Sequence, residues 1–238
     1  MAWRFLTRIA WLVLAATMLT ACGGRGLTWG DSQTPRSASV QKVPASNRHT
    51  VRAGDTLYSI AFRYGLNQKQ LASWNQLSDA TLIYPGQTLR LTPPPAGAQN
   101  TQRRAAVTRA PVVPISGWQW PTSGRLVSTF DISGQAARTG ILLSGQRGQA
   151  IKAALAGKVV YSGSGLKGYG KLIIVQHNES FLSAYGHNAA LLVAEGDQVA
   201  VGQTIATMGE TAAQRPRLHF EIRRNGQPID PLTLLPNR

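Results

Sequence analysis

The sequence predicts a multidomain chain with a small α+β module over residues 48–92 and a larger antiparallel β-sheet domain over residues 118–238. The first unit has an amphipathic helical pattern between two short β-prone runs, whereas the second alternates β-prone runs with Gly-rich turns. Residues 22–47 and 93–117 flank the first unit. They are rich in Gly, Ser, Pro or Arg without periodicity, which is typical of a flexible tether and a linker.

The composition excludes several classes of protein. The 238 residues include 25 Lys and Arg against 10 Asp and Glu, and the net charge of +15 favours an anionic partner such as nucleic acid, phospholipid or a cell-wall polymer. Hydrophobic residues make up 43% of the chain, enough to build a core, so global disorder is excluded. The single cysteine excludes an intramolecular disulfide framework and a cysteine-rich zinc or iron–sulfur site.

The N-terminus has the pattern of an export signal. Arg4 and Arg8 are followed by an apolar run that ends at Leu19, which is shorter than the ~20 residues that cross a bilayer. Residues 1–21 therefore read as a signal peptide. Export makes nucleic acid a poor partner, and no nucleic-acid-binding motif is present in the sequence.

The last three residues of the signal peptide and Cys22 form the sequence L-T-A-C, which resembles a bacterial lipobox. That resemblance implies cleavage before Cys22 and attachment of fatty acids such as palmitate to it. Because Gly23 follows the cysteine, where an aspartate would retain a lipoprotein at the inner membrane, the resemblance implies an outer-membrane anchor that faces the periplasm. The alternative is a free thiol beside an ordinary cleavage site.

The first unit has the predicted order strand, helix, helix, strand. After the turn at Gly54, Asp55 is a predicted helix N-cap. Leu71 and Trp74 indicate a second short helix, and residues 88–91 a closing strand. The apolar face of the first helix recurs at i, i+3, i+4 and i+7, at Leu57, Ile60, Ala61 and Tyr64.

These residues resemble a LysM domain. The match is carried by V-x-x-G-D-T-L-x-x-I-A at Val51–Ala61, W-N at Trp74–Asn75 and I-Y-P-G-Q-x-L at Ile83–Leu89. The resemblance implies binding of the N-acetylglucosamine of peptidoglycan in a shallow groove between two loops. By position the loop residues are Gly54, Asp55, Thr56, Leu57, Ile83, Tyr84, Pro85 and Gly86. The alternative for Leu57, Ile83 and Pro85 is a role in the core or in turns.

The second unit has β-prone runs at 158–161, 171–176, 181–185, 198–208 and 218–222, with a predicted hairpin turn at 195–197. It resembles the LytM, or lysostaphin-type, zinc endopeptidase domain. The matching segments are W-P at 120–121, A-L-A-G-K-V-V-Y-S-G at 154–163, G-Y-G-K-L-I-I-V-Q-H at 168–177, Y-G-H-N at 185–188 and L-H-F-E-I-R at 218–223.

Two metal ligands of the active enzymes are missing. Those enzymes bind zinc through an H-x-x-x-D motif and the second His of H-x-H. Here the first motif is replaced by a segment from Arg138 to Leu142, and the second reads Arg217-Leu218-His219. We therefore expect no metal, no cofactor and no catalytic residue.

Three histidines of the second unit leave alternatives open. His177, His187 and His219 could form a substitute metal site, or His187 and His219 could be remnants whose ring nitrogens form local hydrogen bonds. Neither a paired-carboxylate glycosidase nor a serine triad is supported by the sequence.

The order of lipobox, LysM domain, linker and degenerate LytM domain resembles the NlpD family of murein hydrolase activators. The resemblance implies a non-catalytic protein that activates a periplasmic N-acetylmuramoyl-L-alanine amidase and promotes septal wall splitting. Alternatives are a passive tether between outer membrane and peptidoglycan, or a zinc endopeptidase of the cell wall. The expected partner-binding groove is the former catalytic groove, with Arg138, Leu142, Gly168, Tyr169, His187, Arg217 and His219.

Replacing Cys22 with serine removes the thiol to which a lipid would be attached. We expect Cys22→Ser to abolish incorporation of labelled palmitate and to move the protein from the membrane fraction to the soluble periplasmic fraction, because acyl chains supply ~0.8 kcal/mol per buried methylene. Unchanged palmitate labelling and fractionation would contradict the anchor.

Overall fold

A computed structural model describes residues 40–78, 82–95, 116–133, 138–210 and 215–238. The predicted signal peptide, Cys22 and most of the tether and linker lie outside these ranges. Both predicted domains fall within one compact unit that starts at residue 35. Of the helices in the described ranges, none has the length and apolarity needed to span a bilayer.

The first domain has the predicted order of elements, and its two strands pair antiparallel. Its elements are β1 (Arg48–Thr50), α1 (Leu57–Tyr64), α2 (Gln68–Trp74) and β2 (Thr88–Arg90). The side chain of Asn75 ties α2 to β2, since it donates to Leu71 O at 2.8 Å and to Arg90 O at 2.9 Å and accepts from Arg90 N at 2.7 Å.

The predicted N-cap of α1 is wrong by one residue. Thr56 is the N-cap, because its side chain accepts from the backbone N–H of Ser59 at 3.0 Å and Ser59 Oγ accepts from Thr56 N at 2.9 Å. This reciprocal arrangement is a capping box. The carboxylate of Asp55 is instead bound by His49 and Arg63. The helix ends at Gly65, whose φ of 66° suits a residue without a Cβ.

The second domain is an antiparallel sheet, as predicted. The strands are β3 (Leu126–Ser128), β4 (Ile141–Ser144), β5 (Ala150–Lys152), β6 (Gly157–Gly163), β7 (Lys171–Gln176), β8 (Phe181–Leu191), β9 (Gln198–Val199), β10 (Thr204–Met208), β11 (Arg217–Arg224) and β12 (Gln227–Ile229). The central strand order is β3-β4-β11-β8-β7-β6-β9. In addition β10 pairs with β5 and β8, and β12 pairs with β11. A short 3₁₀ helix at Pro231–Thr233 follows β12.

Two sequence predictions in this domain are wrong in detail. The run 198–208 is two strands rather than one, because a turn at Gly202, with φ of 77°, separates β9 from β10. The turn at 195–197 exists, with Asp197 N donating to Ala194 O. It does not close a hairpin, because β9 pairs with β6 rather than with β8.

The sheet is buried on both faces along β11. Leu218, Phe220 and Ile222 point into the main hydrophobic core of the domain. The alternate residues His219, Glu221 and Arg223 point to the opposite face and are also buried. Because successive side chains of a strand point to opposite faces, β11 has an apolar face toward the core and a charged face that is also buried. The charged face carries the former metal site.

The hydroxyl of Tyr185 is buried in the main core, where it accepts hydrogen bonds from Ala154 N and Ser183 Oγ, each at 2.8 Å. Tyr185→Phe removes the acceptor and leaves a buried N–H without its partner. We expect the free energy of unfolding, measured by chemical denaturation, to fall by about 1–3 kcal/mol. Tyr84→Phe, at an exposed tyrosine, is the matched control and should leave it unchanged. Equal stability of the two variants would contradict this role of the hydroxyl.

Candidate functional site

The two predicted glycan-binding loops lie side by side. Val51 N donates to Gln87 O at 2.8 Å, and Gly86 N donates to Val51 O at 2.9 Å, so the end of the β1–β2 ladder joins them. Four of the eight predicted residues are exposed on this surface, and the ring of Tyr84 is 61% exposed. These four residues are Gly54, Tyr84, Pro85 and Gly86.

The other predicted glycan residues are turned inward or half-buried. Leu57 is in the domain core, as the alternative interpretation held, and Ile83 packs against that core. Thr56 caps α1. Asp55 accepts from His49 Nε2 at 2.9 Å and from Arg63 Nη2 at 3.0 Å. Burial opposes ionisation of Asp55, but these hydrogen bonds and the charge of Arg63 outweigh it and lower the pKa of the carboxyl. Asp55 therefore stabilises its own loop through hydrogen bonds within the domain.

The two lost zinc ligands correspond to Leu142 on β4 and to Arg138 just before β4, and the retained His219 lies on β11. Leu142 pairs with His219 across the two strands, which places a hydrocarbon side chain beside the remaining histidine. Arg138 donates from Nε to Thr129 O at 3.1 Å, and its guanidinium lies 3.9 Å from the carboxylate of Asp131. Arg217 is half-exposed, and in the described ranges no carboxylate forms an ion pair with it.

His219 is engaged by an acid within the same strand. Its Nε2 lies 2.7 Å from Glu221 Oε1, which also accepts from the hydroxyl of Tyr169 at 2.8 Å and from the hydroxyl of Thr139. Glu221 Oε2 accepts from Arg223 Nε at 2.8 Å. One fully buried carboxylate thus accepts hydrogen bonds from four side chains.

The charge state of this cluster follows from its geometry. Burial alone would raise the pKa of Glu221, but attraction to Arg223 and the hydrogen bonds from His219 and Thr139 outweigh it and lower that pKa to about 2. Burial and the neighbouring carboxylate raise the pKa of Tyr169, so its hydroxyl remains a donor. Glu221 and Arg223 therefore form a charged pair that is buried, since Glu221 is 0% and Arg223 1% exposed.

Tyr169 does not line an open groove as predicted. Its ring is buried and packs at 5.4 Å against Phe62, a residue of α1 in the LysM-like domain. Gly168, next to it, is half-buried with φ of 93°. Sequence reasoning missed Phe62, Glu221 and Arg223. The signal that could have found the last two is the charged pair at alternate positions of a strand with an otherwise apolar pattern.

His187 has an unusual environment. Its φ of 65° lies in the left-handed region, its ring centroid is 5.9 Å from that of His219, and Nδ1 is buried without a hydrogen-bond partner in the part of the chain that is described. Burial, and then the nearby His219, lower the pKa of His187 to about 4. The ring is therefore neutral near pH 7. Among the described residues, the expected local hydrogen bond is found for His219 and not for His187 Nδ1.

His177 lies apart from these two histidines, on the face of the main core. Its ring packs against Trp118 at 4.8 Å, and its nitrogens lie 2.8 Å from Ala156 O and from Ser183 Oγ. It directly follows β7 and is half-buried and hydrogen-bonded. Within the described ranges, no three His, Cys, Asp or Glu side chains form a group that could hold a metal ion. With Arg138 and Leu142 at two of the three ligand positions, the residues present do not fit zinc.

Comparisons with known proteins identify the same two domains. The Peptidase family M23 model matches residues 136–231, and the LysM domain model matches residues 49–92. A protein of Pseudomonas aeruginosa named Lipoprotein NlpD/LppB homolog is 40% identical over 269 aligned positions, which cover 94% of this chain and 90% of that protein. The chain belongs to the NlpD family.

Other relatives of this NlpD-family chain carry similar names. Murein hydrolase activator NlpD of Salmonella typhimurium is 45% identical, over 80% of this chain and 68% of that protein. Outer membrane antigenic lipoprotein B of Haemophilus influenzae is 41% identical, over 87% of this chain and about half, 52%, of that protein. The fold prediction, a LysM domain followed by a LytM-type sheet domain, is confirmed.

The two half-buried histidines predict a pH dependence of stability. Burial lowers the pKa of both His177 and His187 to about 4 in the folded protein. Below pH 6.5 the unfolded chain therefore binds more protons than the folded chain, so the free energy of unfolding decreases as the pH falls from 6.5 towards 4. His187→Asn should make this decrease shallower, by about one proton at most, because it removes one of the two titrating side chains. Asparagine is chosen because it tolerates the positive φ at this position. Denaturation at several pH values measures both slopes, and equal slopes would contradict the prediction.

Proposed function

We propose that this NlpD-family chain is a non-catalytic activator that binds peptidoglycan and switches on a periplasmic N-acetylmuramoyl-L-alanine amidase during septal wall splitting. A lipid on Cys22 would hold it at the outer membrane, on the periplasmic side. The family membership, the LysM domain and the names of the relatives support this proposal. The observation that carries it is a degenerate zinc site on an intact M23-type framework.

The degenerate site argues against catalysis by the chain itself. A catalytic zinc needs three neutral or anionic ligands and an open position for water. Leu142 supplies no ligand, Arg138 is a fixed cation, and His219 Nε2 is already 2.7 Å from Glu221. The amidase partner would therefore supply the chemistry.

The half-exposed part of the former groove is the proposed partner site. Arg138 and Arg217 make it cationic, and Leu142 gives it an apolar patch. Activation requires that this surface bind the active conformation of the amidase more tightly than the inactive one. A shift from about 1% to 99% active needs ~5.5 kcal/mol of difference, which a small cluster of buried contacts can supply.

Dye release from labelled peptidoglycan sacculi tests the proposed function directly. The mature protein and candidate periplasmic amidases are assayed separately and together, with the zinc content of the protein measured in parallel. Release only in the combined sample is the expected result. Release by the protein alone, together with bound zinc, would identify an enzyme, and binding to sacculi without stimulation of any amidase would identify a passive tether.

Charge reversal at Arg217 tests the partner groove. We expect Arg217→Glu to reduce amidase stimulation about tenfold or more, because a like-charge contact across an interface costs several kcal/mol. Lys158→Glu is the matched control. Lys158 is exposed, and it pairs with Gln176, the last residue of β7. Equal stimulation by the two folded variants would exclude Arg217 from the partner site.

A further inference from the structure

The charged face of the sheet domain is covered by helix α1 of the LysM domain. We call this contact the docking interface. It consists of Tyr58, Phe62, Gly65, Leu66 and Lys69 of the LysM domain and of Tyr169, Gln176, Glu179, Arg223, Gly226 and Gln227 of the sheet domain. It joins two domains that the sequence separates by a 25-residue predicted linker.

The sheet domain supplies hydrogen-bond donors to the end of α1. Arg223 Nη1 donates to Phe62 O at 2.6 Å, and Gln227 Nε2 donates to Gly65 O at 2.5 Å. Carbonyls in the last turn of a helix lack intrahelical donors and carry the negative end of its dipole. A buried guanidinium at this position therefore satisfies the helix end, and it does so from the other domain.

The turn between β11 and β12 also fits this helix end. A Cβ atom at Gly226 would lie 2.3 Å from Leu66 O, and Gly226 has a φ of 83°. The close backbone approach therefore requires glycine, independently of the hydrogen bonds.

Phe62 is the residue of α1 that packs into the sheet domain. Its ring is 2% exposed, lies 3.4 Å below the guanidinium of Arg223, and belongs to a hydrophobic cluster of the sheet domain that includes Tyr161 and Leu166. The LysM core is formed by other residues of the domain. Without docking, a phenylalanine on the surface of a small domain would be exposed to water.

Helix α1 connects the two candidate sites. Thr56 of the glycan loop caps its start. Near its end, the carbonyl of Phe62 accepts from Arg223, which lies beside the former metal site. Eight residues of helix span about 12 Å. At its far end the rings of Phe62, Tyr169 and His219 follow one another at 5.4 and 5.5 Å.

We propose that the docking interface makes α1 one wall of the partner groove and holds the peptidoglycan loops at a fixed position beside it. The proposal rests on the proposed function. It deepens that function, because a glycan strand bound to the loops would lie about one helix length from an amidase bound in the groove. The activator would thus present its partner with the polymer that the partner cleaves.

Zero-length cross-linking of the free mature protein tests docking without any partner. Lys69 Nζ and Glu179 form an ion pair across the interface, and both side chains are exposed. Carbodiimide should therefore join their peptides, as detected by mass spectrometry. Phe62→Asp should reduce this cross-link about tenfold or more, because it places a carboxylate in the apolar cluster. Leu192→Asp makes the same change at a side chain that is 55% exposed, and should leave the yield unchanged.

Phe62→Asp should remain folded by circular dichroism, since Phe62 is outside the LysM core. Gln227→Ala, which removes one hydrogen bond to α1, serves as a milder second variant. With an amidase that the unchanged protein stimulates, we expect Phe62→Asp to lower dye release from sacculi about tenfold, while Leu192→Asp does not.

An unchanged cross-link in Phe62→Asp, or stimulation equal to or above that of the unchanged protein, would overturn the proposal. Stimulation above that level would mean that the LysM domain restrains the groove. If the unchanged protein stimulated no amidase, the proposed function would fail, whereas the cross-link and its dependence on Phe62 would still decide whether the domains dock.

Discussion

The buried ion pair between Glu221 and Arg223 is the constraint on which the rest of this site depends. Two charges removed from water are tolerated only when geometry is good and their remaining hydrogen-bonding groups are satisfied. Glu221 meets this condition through His219, Tyr169 and the hydroxyl of Thr139. Arg223 meets it through the hydroxyl of Tyr169 in its own domain, at 3.0 Å, and through the carbonyl of Phe62 in the LysM domain.

Among the described residues, this hydrogen-bonded arrangement lies where an M23-type zinc enzyme would hold its metal. In a zinc enzyme the remaining histidine would be a ligand, whereas here it is part of a hydrogen-bonded cluster centred on a carboxylate. The cluster is closed to solvent on one side by the LysM domain and adjoins a half-exposed cationic surface on the other. In the proposed function this half-exposed surface binds the partner, and the hydrogen-bonded cluster forms its floor.

The LysM domain contributes differently at its two ends. The loops at Gly54 and Tyr84 are exposed, while the opposite end of α1 is desolvated against the sheet. Hydrogen bonds from His49 and Arg63 to Asp55 connect the loop to β1 and α1, and the capping box at Thr56 joins the loop to the start of α1. Peptidoglycan binding and partner binding are thereby placed on one continuous body in the proposed function.

The sequence by itself determined the two domains, the order of elements in the first, the strands β6, β7, β8 and β11 in the second, and the replacement of the zinc ligands, because these follow from local periodicity and from motifs whose residues are adjacent in the chain. It did not predict the short strands β3, β4, β5 and β12. It predicted the N-cap one residue early and the run 198–208 as one strand, since capping and strand breaks depend on which side chain finds a partner. Only the tertiary structure decided that Tyr169 is buried, that Asp55 braces its own loop, and that Arg223 joins two domains. Each of these depends on contacts between residues far apart in sequence, and no periodic pattern encodes which distant carbonyl a buried guanidinium will reach.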